Sequence, residues 1–94
     1  MKKPFYTVAA LQDLEDILEY ISKDKPDAAI RWVEKLEAKC LAIARTPHIG
    51  EQIAKLGGDI RMSSIGRYMI FHRYVSDRLE ILRVISGGVD LTEL

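Results

Sequence analysis

The chain predicts a two-layer α+β fold: a helical hairpin packed on a mostly antiparallel sheet, in the order β-α-α-β-β-β. Three observations carry this. Residues 67–86, RYMIFHRYVSDRLEILRVIS, are two runs rich in Ile, Val, Tyr and Phe around a turn at Ser76-Asp77; such residues suit a pleated, half-buried surface. Two earlier stretches carry apolar residues at helical spacing. A proline-bearing stop–start signal, Asp24-Lys25-Pro26-Asp27, separates them.

In order, Phe5 to Val8 is a short β-prone run and reads as the first strand. Ala9 to Lys23 reads as a helix, with Leu11, Leu14, Leu18 and Ile21 three and four apart. Asp24 or Lys25 would cap the second helix, with Pro26 in its first turn, where a missing N–H costs nothing. From Asp27 to Arg45 the stripe is Ala29, Val33, Leu36, Cys40 and Ile43. Arg45 suits the negative end of that helix, and Thr46-Pro47 closes it. The short link makes the helices an antiparallel hairpin. Residues 48–58 read as loop, punctuated by Gly50, Gly57 and Gly58. Asp59 to Ser64 is the next strand, Ile65-Gly66 a turn into the central hairpin, and Gly87-Gly88 the end of the last strand, with a tail from Val89.

Register predicts the faces. A two-residue loop at Ser76-Asp77 sets Val75 against Arg78, Arg73 against Glu80, Phe71 against Leu82 and Met69 against Val84. The other parity sets Tyr74 against Leu79, His72 against Ile81, Ile70 against Arg83 and Tyr68 against Ile85. Phe71, Leu82, Met69 and Val84, joined by Ile60 and Met62, form the expected core face. The opposite face is then partly open and bears Arg61, Ser63, Tyr68, His72 and Arg83, with Arg61 and Arg83 sharing it.

Ninety-four residues make one domain, residues 1-94, with one modest core. An apolar fraction of 48% beside 30% charged residues is that of a soluble globular protein. No apolar run spans a bilayer and no signal peptide is visible. The single cysteine, Cys40, excludes an internal disulfide and suits a cytoplasmic location. Lys plus Arg and Asp plus Glu number 14 each, so net charge names no partner. Its distribution is uneven: residues 13–24 are acidic, and residues 61–83 hold five arginines.

Several residues could carry chemistry. Arg61 and Arg83 on one face could grip phosphate, carboxylate or an acidic helix, or either could be a structural arginine; for Arg83 the partners in view are Asp90, the carboxyl terminus or a backbone carbonyl. His72 is the one strand residue suited to acid–base work, though an ordinary strand histidine fits the same pattern. Two histidines and Cys40 give no metal-ligand pattern, and no phosphate loop or cofactor motif is present. Cys40 reads as a small core residue. Trp32 reads as packing against the first helix's flank rather than anchoring a partner.

These pieces resemble the ParE branch of the RelE/ParE toxin superfamily of type II toxin–antitoxin pairs (plasmid stabilisation proteins). The resemblance rests on Val8-Ala9-Ala10 through Asp13-Leu14-Glu15-Asp16-Ile17 before Tyr20-Ile21, on Thr46-Pro47-His48-Ile49-Gly50, on Ile60-Arg61 followed by Arg67-Tyr68-Met69-Ile70-Phe71-His72, and on Ile81-Leu82-Arg83-Val84-Ile85. Two departures stand out. Ser86 replaces the family's histidine after the last strand, and His72 stands where a tyrosine is usual. Ribonuclease members carry a Tyr or His near the C-terminus; this chain has neither beyond Tyr74.

The resemblance implies a toxin that inhibits DNA gyrase by binding and is neutralised by a ParD-like antitoxin, with Arg61, Arg67, Tyr68 and Arg83 as partner-binding residues and no catalytic residue. It implies no cofactor, no metal, no membrane and no sequence-specific nucleic-acid binding. The alternative is a ribosome-dependent mRNA endoribonuclease of RelE type, with His72, Arg61 and Arg83 as its catalytic group. The antitoxin's flexible C-terminal segment is expected to fold over the helix hairpin and sheet edge.

Overall fold

A computed structural model describes residues 3–86. Its elements are β1 (Phe5–Tyr6), α1 (Val8–Ser22), α2 (Pro26–Arg45), β2 (Glu51–Gln52), a 3-10 turn (Ala54–Leu56), β3 (Arg61–Ile65), β4 (Tyr68–Val75) and β5 (Arg78–Ser86). The sheet runs β1-β5-β4-β3-β2, antiparallel except where β1 lies parallel to β5.

Local chemistry sets the helix ends. Thr7 caps α1 by accepting the Ala10 N–H, so Val8 enters the helix and β1 stops at Tyr6. The Thr7 hydroxyl also donates to the Leu82 carbonyl, fastening the cap to β5. Lys25 is the N-cap of α2 and Pro26 its first residue, and Thr46 ends it, as the sequence predicts. The Glu51–Gln52 strand is unexpected: two exposed polar residues pair with Met62 and Arg61 and carry no strand pattern.

Between the helices and the sheet lies one core: Leu14, Ile17, Leu36, Cys40 and Ile43 from the helices, with Tyr68, Ile70, Leu79, Ile81 and Val84 from the strands. Cys40 is fully buried. Burial pushes its thiol up to about 11, so it stays protonated and inert.

This core corrects the expected faces. The β4–β5 register holds from Val75↔Arg78 to His72↔Ile81, then slips at a bulge between Phe71 and His72. Beyond it Phe71 pairs with Arg83, Ile70 with Val84, Met69 with Ile85 and Tyr68 with Ser86. Ile70, Ile81 and Val84 therefore share the helix-covered face, while Met69, Phe71 and Arg83 share the other. On β4 and β3 the expected side is simply inverted, with Tyr68, Ile70 and His72 turned to the helices and Met69, Phe71 and Met62 away. The bulge on β5 has its own cause, the arginine. An unbroken ladder would place Arg83 beside Ile70 under the helices, where an unpaired guanidinium costs several kcal/mol. One extra residue on β5 turns Arg83 out and Val84 in.

The β3–β4 loop is Gly66-Arg67 rather than Ile65-Gly66, so Arg61 pairs with His72 and Met62 with Phe71. The change is two residues, which preserves parity. Arg61 keeps the Ile70 and His72 side. Arg61 and Arg83 thus lie on opposite sides of the sheet, and the expected shared patch does not form.

Candidate functional site

Each of the five singled-out residues, Arg61, Arg67, Tyr68, His72 and Arg83, has a definite place. Arg83 is locked to α1. Its Nε donates to Asp13 Oδ2 at 2.8 Å and its Nη2 to Asp13 Oδ1 at 3.0 Å, while the Val84 N–H donates to Oδ2 at 2.9 Å. One carboxylate thus holds a guanidinium in a fork and satisfies a backbone donor on the β5 edge beyond β1. The Asp13 carboxylate raises the Arg83 pKa above its ordinary value. The partners weighed from sequence were different; Asp90 and the terminus lie outside the described residues.

His72 is fully buried on the helix-covered side. Its Nε2 shares a 2.9 Å hydrogen bond with Ser63 Oγ. Burial, then the nearby Arg61 charge, lowers its pKa to about 4, against which Asp59 acts weakly. The ring is therefore neutral at neutral pH. Gly50 packs over it with φ +97°, and a β-carbon there would sit 2.8 Å from the Met62 carbonyl oxygen and 3.3 Å from His72 Nε2. Arg61 ties this corner together, with Nη2 3.3 Å from Asp59 Oδ1 and Nη1 donating to the Gly50 carbonyl at 3.4 Å. His72, Arg61 and Arg83 are therefore not brought together. The histidine is enclosed, one arginine is engaged beside it, and the other is across the sheet.

Arg67 and Tyr68 belong to a different place. Arg67 is exposed at the tip of the β3–β4 hairpin and Tyr68 lies just behind it. Two cavities share Tyr20, Arg67 and Tyr68. One, about 480 Å³, adds Ile21, Ala28 and Trp32; the other, about 460 Å³, adds Asp13, Asp16, Ile17 and the last residues of β5. Together they form one groove running from between the helices to the β5 edge. Its floor is aromatic and aliphatic, with Arg67 at the tip and Asp13 and Asp16 at the far end. Tyr20 stands 71% exposed beside it.

Trp32 builds the groove wall. It packs on Tyr68 at 5.9 Å between ring centroids and faces the same cavity as Tyr20 and Ile21 of the first helix, and Lys35 lies over its face at 5.6 Å. Gly66, at φ +57°, meets the Trp32 ring so closely that a β-carbon would approach Cη2 to 2.8 Å. Sequence reasoning missed Asp13, Tyr20 and Trp32 here. Asp13 was legible only as part of the acidic run. The available signal was an arginine among aliphatics in need of a partner.

Among the described residues no group of three or more His, Cys, Asp and Glu could hold a metal ion, and no helix is long and apolar enough to cross a membrane.

This architecture is shared with a chain of the solved structure "Chromosomal ParDE TA system from P. aeruginosa", at a TM-score of 0.79 and 17% identity over 92% of this chain and 96% of that one. At that identity the likeness speaks for the fold. A family model described as ParE toxin of type II toxin-antitoxin system, parDE, matches residues 5–91. The chain belongs to the ParE toxin family. Among curated proteins, none matches it.

Proposed function

We propose that this protein is the toxin of a type II pair, that it inhibits DNA gyrase by binding rather than by cleaving a substrate, and that an antitoxin neutralises it by filling the groove at the β3–β4 tip. The family match over residues 5–91 carries the reading. The buried, neutral His72 and the Asp13-bound Arg83 speak for action by contact, since the group that would cleave RNA is dispersed over two sides of the sheet.

The groove suits a peptide that folds on contact. It offers Trp32, Tyr68 and Tyr20 as the aromatic surface that hot spots favour, and it runs out to a strand edge. β1 pairs only with Glu80 and Ile81, so the edge past Ile81 has no strand partner among the described residues. A segment with an apolar helix and a short strand could occupy both. Arg67 and Tyr68 contact the partner in this reading. Arg61 and Arg83 act through the fold, holding the loop at Gly50 and the β5 edge.

The test is supercoiling by purified gyrase, with the protein alone and with its antitoxin. Inhibition by the toxin and relief by the antitoxin are expected. Full supercoiling at a large excess of toxin, together with cleaved mRNA in a translation reaction, overturns the reading in favour of the ribonuclease.

A further inference from the structure

The side of the sheet away from the helices carries a second built surface, on β1, β4 and β5. Arg73 and Arg78 converge on one carboxylate: Arg73 Nε donates to Glu80 Oε1 at 2.9 Å and Arg78 Nη2 to Glu80 Oε2 at 3.3 Å. Phe5 lies under the Arg78 guanidinium, 4.1 Å from ring centroid to Cζ. Phe5, Glu80 and Arg73 form one row across three strands, and Val75 pairs with Arg78 in the next. Glu80 is nearly buried, and the two arginines, the Arg73 one first, hold its carboxyl below the usual range. The groups around it are open: Phe5 is 42% exposed and Val75 38%, and the arginine side chains 43% and 45%.

Two guanidiniums against one carboxylate leave a net positive charge. Each has five N–H donors and spends one on Glu80. The shared carboxylate and the Phe5 stack hold the arginines in place, so a partner would order little on binding. Fixed arginines beside an exposed aromatic and an exposed valine are what binding hot spots are made of. A phosphate backbone fits less well, because a single uncompensated charge releases few counterions.

We infer that this Phe5–Arg73–Val75–Arg78 surface docks an acidic protein surface on the toxin's target, with an apolar side chain seated between the target's carboxylates. The inference rests on the toxin reading and adds the contact surface to it. It also separates the two partners. The antitoxin's groove lies at the β3–β4 tip and the helix hairpin, and the target's surface lies across the sheet.

The experiment is growth arrest on expression of the chain alone, which depends on no assumption about the target, followed by gyrase inhibition in vitro. Arg73→Ala/Arg78→Ala should abolish arrest and raise the inhibitory concentration at least about tenfold. Val75→Asp, which removes no ion pair and adds a repelling carboxylate, should weaken both. Arg31→Ala/Lys23→Ala removes the same charge from exposed positions, one on α2 and one just past the end of α1, and should leave both within about twofold of wild type. Circular dichroism melts establish that each variant is folded. Undiminished arrest by folded R73A/R78A and V75D overturns the surface. Binding to a labelled short DNA duplex that R73A/R78A abolishes would overturn the protein partner in favour of phosphate. Arrest by the wild type without gyrase inhibition overturns the gyrase reading alone, and the variants still decide the surface.

Discussion

Replacing Asp13 with alanine probes the contact on which the β5 register depends. The substitution removes the acceptor for both Arg83 donors and for the Val84 N–H in one step. Asp13 retains only 12% side-chain exposure and Arg83 36%, so water compensates the arginine in part and the edge N–H less well. A charge-assisted pair at a half-open site and an orphaned backbone donor together are worth about 2–4 kcal/mol. At about 4–8 °C per kcal/mol for a domain of this size, the melting temperature should fall by roughly 10–30 °C. Thermal and urea unfolding followed by circular dichroism read it directly. Asn at position 13 can serve only part of the constellation and should lose about half as much. In a double-mutant cycle, Arg83→Ala should cost little in the Asp13→Ala background, because the partner is already gone. A D13A protein within about 0.5 kcal/mol of wild type, a typical surface substitution, would refute the lock.

Other expectations follow from the same geometry. His72, with its pKa lowered to about 4 from an ordinary 6.5, must be neutral to fold, so the unfolded chain binds the extra proton. Stability should be full above pH 6.5 and fall by up to about 3 kcal/mol as the pH drops toward 4, and His72→Gln should flatten that decline in melts across the range. The Glu80 carboxyl, whose folded pKa is depressed, gives its stability in full above its ordinary 4.5 and loses it as the pH falls below that value, adding a second decline at lower pH. Gly66→Ala forces a β-carbon into the Trp32 ring at a positive φ, and should cost about 1–3 kcal/mol and shift the fluorescence of the chain's one tryptophan. Tyr20→Ala, on the groove's open side, should weaken antitoxin binding about tenfold or more by calorimetry while the toxin alone still arrests growth. Mixing toxin and antitoxin should raise helical ellipticity if the antitoxin segment folds on contact.

The helical layer was largely legible because its signals are local. Pro26 and Thr46 mark the ends of α2, and Ala29, Leu36, Cys40 and Ile43 of its expected stripe are buried. On α1 the stripe is rotated: Leu14 is buried as expected, but Ala10 and Ile17 join it and Leu11 stands 53% exposed. The Ser76-Asp77 turn was legible too, and both residues take the positive φ that a two-residue hairpin loop demands. The sheet faces were not. Side-chain direction has a period of two, so one extra residue on β5 exchanges every position beyond it. No glycine marks the Phe71–His72 bulge. Its cause is a contact between residues 13 and 83, seventy positions apart in the chain. The groove escaped notice for a similar reason. Tyr20, Trp32 and Tyr68 come from three elements, and each alone reads as packing. The Phe5–Arg78 surface depends on a two-residue parallel strand whose pairing no periodicity announces.

The central claim is that this toxin acts by occupying its target, and stoichiometry tests it most directly. Titrating the protein against a fixed concentration of gyrase should abolish supercoiling in proportion to the toxin added, reach an end point at a fixed molar ratio, and show no further loss with time. Inhibition at far below equimolar toxin that deepens steadily with incubation would mark a catalyst, and would contradict the account.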